Sequence, residues 1–150
     1  MINSRDTFLA ELQARELLDI AHAAWSREDV EAVLACFVDD LHFWSNASPR
    51  GDALTVTGKS AFRTYLHSID VAERISVREH FRLVDGVGRA RIDWFVRHKR
   101  TGHTLTGSYR QLVGYREGKI CRLEEYHDAA RMAAFWRLIA GEDALAETAP

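Results

Sequence analysis

The residues of this chain best suited to chemistry lie near its C-terminal end, in a stretch that reads as a two-stranded ribbon. Thr104 to Arg116 and Ile120 to His127 read as strands, and Glu117-Gly118 between them reads as a two-residue hairpin turn whose glycine supplies the positive φ such turns need. If Arg116 faces Lys119, then Tyr115 faces Ile120, Leu112 faces Leu123 and Arg110 faces Glu125. Side chains alternate with period two. One face then carries Ser108, Arg110, Leu112, Cys121, Leu123, Glu125 and His127. The other carries Tyr109, Gln111, Val113, Tyr115, Ile120, Arg122, Glu124 and Tyr126. The partition holds as long as no bulge interrupts the ribbon.

The first face sets a carboxylate, a guanidinium and an imidazole beside apolar groups. A carboxylate in an apolar pocket has its pKa pushed up by desolvation and can exchange protons near neutral pH. Histidine suits the same work. Glu125, His127 and Arg110 are therefore the candidate catalytic residues, with Arg110 placed to hold a carbonyl or anionic oxygen. Leu112 and Leu123 would be walls of the same pocket. The plainer alternative is a cross-strand Arg110–Glu125 ion pair on a solvated surface, worth under ~1 kcal/mol. Asp128 is expected to cap a final helix. Trp25, Trp44, Tyr65 and Trp94 are large rings that suit a flat organic ligand, though such rings commonly serve as core. Asp93 stands among Ile92, Trp94, Phe95 and Val96, so it either faces solvent or serves the site. His80 is expected to share a solvated face with Arg78 and Arg82. The second ribbon face mixes aromatics, arginine and apolar groups, a composition that suits a homodimer interface.

These groups need a framework. Phe8, Leu12, Leu17, Ala21 and Trp25 recur at helical steps over Asp6 to Trp25. A second helix is expected from Asp29, with Val30, Val33, Leu34 and Phe37 on one face and Asp39-Asp40 ending it. Leu41 to Trp44 reads as a short strand, Ser45 to Asp52 as a turn-rich stretch, and Thr55 to Thr57 as another short strand. Gly58 opens a third helix carrying Phe62, Tyr65, Leu66 and Ile69. Strands follow over Ile75 to Val84 and Val87 to His98, with a turn at Asp85-Gly86 and another at Arg100-Thr101-Gly102. After the ribbon, a last helix should run from Asp128 to Ile139, with Gly141 stopping it and residues 142–150 left as a loose tail. Three helices, a four-strand antiparallel meander and a closing helix make an α+β chain rather than a βαβ array.

Length and composition agree with one domain. The chain has 150 residues, 47% hydrophobic and 28% charged, with a net charge of −2; a core large enough to stand alone follows. Its arginines alternate with acids and form no basic stripe, which argues against a nucleic-acid partner. Cys36, placed in a helical run, and Cys121, placed in a strand, show no metal spacing and are expected as small core residues. No run approaches 18 apolar residues, so no membrane span is expected. Without a basic segment leading into an apolar one at the N-terminus, the cytoplasm is the expected location. The sequon Asn46-Ala47-Ser48 then carries no meaning.

The order of these pieces resembles a known family. The N-terminal helix pair, Asp39-Asp40, the short strand, the glycine-led third helix, and the closing series Gly118-Lys119-Ile120, Glu125-Tyr126 and Asp128 are similar to the SnoaL-like branch of the nuclear transport factor 2-like superfamily, over about residues 16–141. The resemblance implies a cone: a curved antiparallel sheet with helices packed on it, enclosing an apolar pocket. It implies an acid at the Glu125 position pointing inward, and a proton-transfer isomerase, cyclase or dehydratase working on a small apolar molecule without metal or redox cofactor. It is equally compatible with a non-catalytic ligand-binding domain. Asp39 to Trp44 also resembles the small subunits of ring-hydroxylating dioxygenases. The tyrosine-plus-acid arrangement of ketosteroid isomerases and the arginine-bridged acids of epoxide hydrolases have no residue-by-residue counterpart here.

Overall fold

The computed structural model describes residues 4–69 and 73–148, with the side chains of 143–148 left out. The elements run α1 (Ser4–Ser26), α2 (Val30–Leu34), β1 (Phe37–Ser45), β2 (Leu54–Thr57), α3 (Lys59–Ser68), β3 (Glu73–Val84), β4 (Val87–Arg97), β5 (Thr104–Arg116), β6 (Lys119–Tyr126) and α4 (Ala129–Thr148). The fold is α+β, with the N-terminal helices packed on a six-stranded curved sheet in the order β2-β1-β6-β5-β4-β3. Every pairing is antiparallel except one: β1 runs parallel to β6. The sheet is therefore mixed, where the sequence suggested an antiparallel one. The chain passes through β2, α3 and β3 to β5 on its way from β1 to β6, and a parallel neighbour demands such a long connection.

Local chemistry accounts for most boundaries. The Asp29 carboxylate accepts the Ala32 N–H at 3.0 Å and caps α2. Asp85-Gly86 and Glu117-Gly118 have φ of 51° and 77°, and of 51° and 76°, the left-handed pairs that a two-residue hairpin requires. Asp128 accepts the Arg131 N–H at 3.1 Å at the head of α4.

Three expectations change. Phe37 belongs to β1, not to α2, which ends at Leu34; Cys36 sits buried in the turn between them. The apolar run Val30, Val33, Leu34, Phe37 fits a helix, but Phe37-Val38 also begins a β-branched and aromatic strand, and its ladder with β6 prevails. Gly141 does not stop α4, which continues to Thr148. One glycine costs a helix only about 1 kcal/mol, and Ala144, Leu145 and Ala146 beyond it are good helix formers; Ala149 and Pro150 lie outside the described residues. Finally, β3 changes face at a bulge between Arg78 and His80. Before it, Arg74 and Ser76 are buried, while Ile75 and Val77 are 52% and 51% exposed. After it, Phe81 and Leu83 turn inward and His80 and Arg82 outward. Arg78 is thus on the opposite face from His80, and it pairs with Asp19 of α1 at 2.6 Å.

The main core lies between α1, α2, α3 and the inner face of the sheet. Leu18, Leu34, Phe37, Leu41, Ile92, Val113 and Ile120 are almost wholly buried there. Phe62 lies against Phe37 and Phe43 with ring centroids 5.2 and 5.1 Å apart. A second cluster forms where Met132, Phe135 and Ile139 of α4 meet Ala47, Val96 and Leu105. Trp25 and Trp94 touch both clusters and leave a hollow between them. No described helix is long and apolar enough to cross a membrane.

Candidate functional site

The ribbon that carries the site has one residue more on β6 than strict alternation allows. Arg116 faces Lys119 and Tyr115 faces Ile120, as the turn dictates, but Gly114 then faces Arg122, leaving Cys121 without a counterpart. From that bulge onward the register moves by one: Val113 faces Leu123, Leu112 faces Glu124, Gln111 faces Glu125 and Arg110 faces Tyr126. A one-residue change exchanges the two faces of everything beyond it. Tyr109, Gln111, Val113 and Ile120 therefore point inward together with Leu123, Glu125 and His127. Arg110 and Leu112 point outward.

Several assignments fall with this correction. Arg110 is exposed and has no place near Glu125. Leu112 is on the outer face. Asp93 is outside as well, 3.3 Å from Arg91 and 43% exposed, because Ile92 and Trp94 take the inward positions of β4. Trp44 alternates with the inward Phe43 and Ser45, and lies against Tyr126 on the outer face at 5.2 Å. The face expected to join two protomers is mostly interior: Tyr109, Gln111, Val113 and Ile120 are at most 7% exposed.

The remaining candidates come together. Glu125, His127, Leu123, Trp25, Tyr65 and Trp94 all line a hollow of about 110 Å³ between the helices and the sheet. One water needs ~10–15 Å³ by the same measure, so there is space for several waters or one small organic molecule. The other walls are mainly Leu18, Phe37, Phe43, Phe62, Met132 and Trp136, and no lysine or arginine is among them.

Five side chains form a continuous buried chain across this hollow. Ser76 Oγ is 2.6 Å from His22 Nδ1. His22 Nε2 is 2.8 Å from Gln111 Oε1. Gln111 Nε2 donates to Glu125 Oε2 at 2.6 Å, and His127 Nε2 lies 3.1 Å from Glu125 Oε1. His127 is held at both ends of its residue. Its N–H donates to Asn46 Oδ1 at 2.7 Å, and its carbonyl accepts from Asn46 Nδ2 at 3.0 Å. Its ring stacks on Tyr109 at 4.2 Å and meets Trp94 edge-on at 5.3 Å. His127 Nδ1 is buried and makes no hydrogen bond.

The electrostatics follow from these contacts. Burial pushes the Glu125 carboxyl up, but the hydrogen bond and charge of His127, the Gln111 N–H and nearby His22 together outweigh it and leave the group below its usual value. Burial holds His22 below the ordinary imidazole range, against the opposing pulls of Gln111, Glu125 and Asp19. Burial and then the Glu125 charge push the phenols of Tyr65 and Tyr109 upward, so both stay protonated. The arrangement is a carboxylate kept ionised, an imidazole oriented by it, and neutral phenol donors in an apolar hollow.

His22, Asn46, Tyr109 and Gln111 were not among the expected site residues. His22 could have been found: a polar residue within the inward stripe Leu18, Ala21, Trp25 of α1 needs a buried partner. Asn46 was visible only as a sequon. Gln111 and Tyr109 were assigned to the wrong face.

A model of the SnoaL-like domain matches residues 18–123. No curated protein matches the chain. Among solved structures, an NTF2-like protein of unknown function from Burkholderia pseudomallei K96243 superposes with a TM-score of 0.73 at 18% identity, covering 82% of this chain and 96% of its own. TerC, co-crystallised with polyporic acid, gives 0.72 at 16% identity over 83% and 98%. An LEH-like epoxide hydrolase from M. tuberculosis gives 0.69 at 16% over 93% and 98%. At such identities the likeness is one of fold.

Proposed function

The chain belongs to the SnoaL-like domain family, and we propose that it is a proton-transfer enzyme, an isomerase, cyclase or dehydratase, acting on a small apolar organic molecule in the hollow. The observation that carries this reading is the Glu125–His127 pair: an ionised carboxylate 3.1 Å from an imidazole nitrogen, both residues on the wall of an apolar hollow. The Glu125 carboxylate takes a proton from an acidic C–H or O–H of the ligand, His127 holds the carboxyl group in place through Nε2, and the same proton returns to another ligand atom. Isomerisation results if it returns to carbon, and dehydration if it returns to a leaving hydroxyl. General acid–base catalysis of this kind contributes roughly 10²–10⁴-fold. Arg110 takes no part. The Tyr65 hydroxyl, a neutral donor on the wall of the hollow, holds the ligand oxygen on which negative charge develops. That other proteins of this fold are described as an epoxide hydrolase, and as co-crystallised with polyporic acid, supports a small organic ligand.

The experiment is a thermal-shift screen of ketones, phenols and lactones, followed by turnover of whatever binds. Glu125→Gln and His127→Phe should keep binding and lose turnover by roughly 10²–10⁴-fold. A ligand that stabilises the protein but whose conversion is indifferent to both changes would leave a non-catalytic binding domain instead. We expect a cytoplasmic homodimer joined through the outer face of the sheet, where Trp44 and Tyr126 meet and Ile75 and Val77 stand exposed. A stable monomer in light scattering at micromolar concentration would overturn that assembly.

A further inference from the structure

The reading above leaves His22, Gln111 and Ser76 without a role, although all three are at least nine-tenths buried. We propose that His22 and Gln111 are positioning residues that keep Glu125 a carboxylate, by fixing which end of the Gln111 amide faces it. The inference rests on the assignment of Glu125 and His127 to the site.

Donor and acceptor counting gives the reason. An amide oxygen only accepts and an amide nitrogen only donates. With the nitrogen toward Glu125 and the oxygen toward His22, Glu125 must accept, and His22 must carry its hydrogen on Nε2. His22 Nδ1 is then a lone pair that accepts the Ser76 hydroxyl hydrogen. The inverted amide requires every member to change: a proton on Glu125, and the His22 hydrogen on Nδ1 facing Ser76. The His22 tautomer and the Glu125 protonation state are therefore coupled through the amide, and in the observed arrangement Gln111 and His127 present nitrogen to the two Glu125 oxygens. The titratable neighbours of Glu125 are His127 just past the end of β6, Tyr109 on β5, Tyr65 on α3 and His22 on α1. Those of His22 are Asp19 on its own helix and Arg78 on β3, paired with each other, and Glu125.

Two measurements on the labelled protein test this without a substrate. Long-range ¹H–¹⁵N spectra of the wild type at about pH 8, above the usual imidazole range, should show His22 with hydrogen on Nε2 and none on Nδ1. Hydrogen on Nδ1 would overturn the proposal even before any variant is made. Carboxyl ¹³C titration of Glu125 should move upward by about one to two pH units in Gln111→Leu and in His22→Phe, the effect of losing one hydrogen bond to a charged group. His22→Gln, which keeps an N–H donor, should restore the low value. A Glu125 titration unaltered by Gln111→Leu and His22→Phe would sink the idea. If the relay behaves as expected but nothing is turned over, the enzyme reading fails and the relay stands. If turnover depends on Glu125 and His127 while the titration ignores Gln111 and His22, the reverse holds.

Discussion

Replacing Glu125 by leucine and by glutamine separates the cost of losing its charge from the cost of losing its acceptors. In the native site the carboxylate accepts from Gln111 at 2.6 Å and from His127 at 3.1 Å, with a side chain only 16% exposed. Leucine of similar size leaves the Gln111 N–H and the His127 N–H with no acceptor in an apolar hollow. Each buried orphan costs about 1–3 kcal/mol; the added apolar burial returns about 1–2 kcal/mol, for a net loss between about 0 and about 5 kcal/mol, centred on about 2–3 kcal/mol. Glutamine offers an oxygen to one donor and an N–H to the other. The misplaced N–H is accommodated if His127 moves its hydrogen to Nδ1, or if the Gln111 amide inverts and His22 moves its own. The second route is the better one, because the first puts a hydrogen on the buried and unpartnered His127 Nδ1; with the amide inverted and the desolvation cost of a buried charge removed, the change should be within about 1 kcal/mol of wild type. Urea unfolding at neutral pH measures both, with equal slopes required for the comparison. Equal destabilisation by the two substitutions would refute the reasoning, because it would mean that the charge, and not the hydrogen-bond count, holds the site together.

Other consequences are accessible to the same assays. His22 has a folded-state pKa below its ordinary 6.5, so the unfolded chain takes up this proton first. Its contribution to stability is full above about pH 6.5 and is lost as pH falls through the lowered folded-state value; urea unfolding from about pH 8 to about pH 5 should show the decline, and His22→Phe should flatten it. Gly88→Val places a Cβ 2.9 Å from the Phe81 ring and 3.2 Å from that of Tyr115, and should destabilise by about 1–3 kcal/mol in thermal melts. Deleting Cys121 removes the unpaired bulge residue and leaves the pairing on both sides in register; it should cost less in urea unfolding than deleting Glu124, which sends Glu125 to the outer face.

What the sequence made legible depended on how local the determining physics is. Both glycine hairpins, the Asp29 and Asp128 caps and the helical stripe of α1 were readable because each is set by residues within a few positions of one another. The bulges at Cys121 and near Glu79 have no such signature. Neither has a glycine on the bulged strand itself, and each shows only in how one strand is paired with its neighbour. A single unread residue therefore inverted the partners of Glu125: it lines the hollow, but the sequence puts Arg110 where Gln111 stands. The exchange alters the chemistry. A guanidinium opposite Glu125 would hold the carboxylate in a permanent ion pair and bring a cation into an otherwise uncharged wall. An amide opposite it satisfies one oxygen without supplying charge, so the only cation that Glu125 can meet on the ribbon is the one His127 acquires by taking up a proton. The bulge at Cys121 is thus what sets the Glu125–His127 pair inside the hollow, where the proposed proton transfer needs it, rather than as one more ion pair on the surface of a sheet.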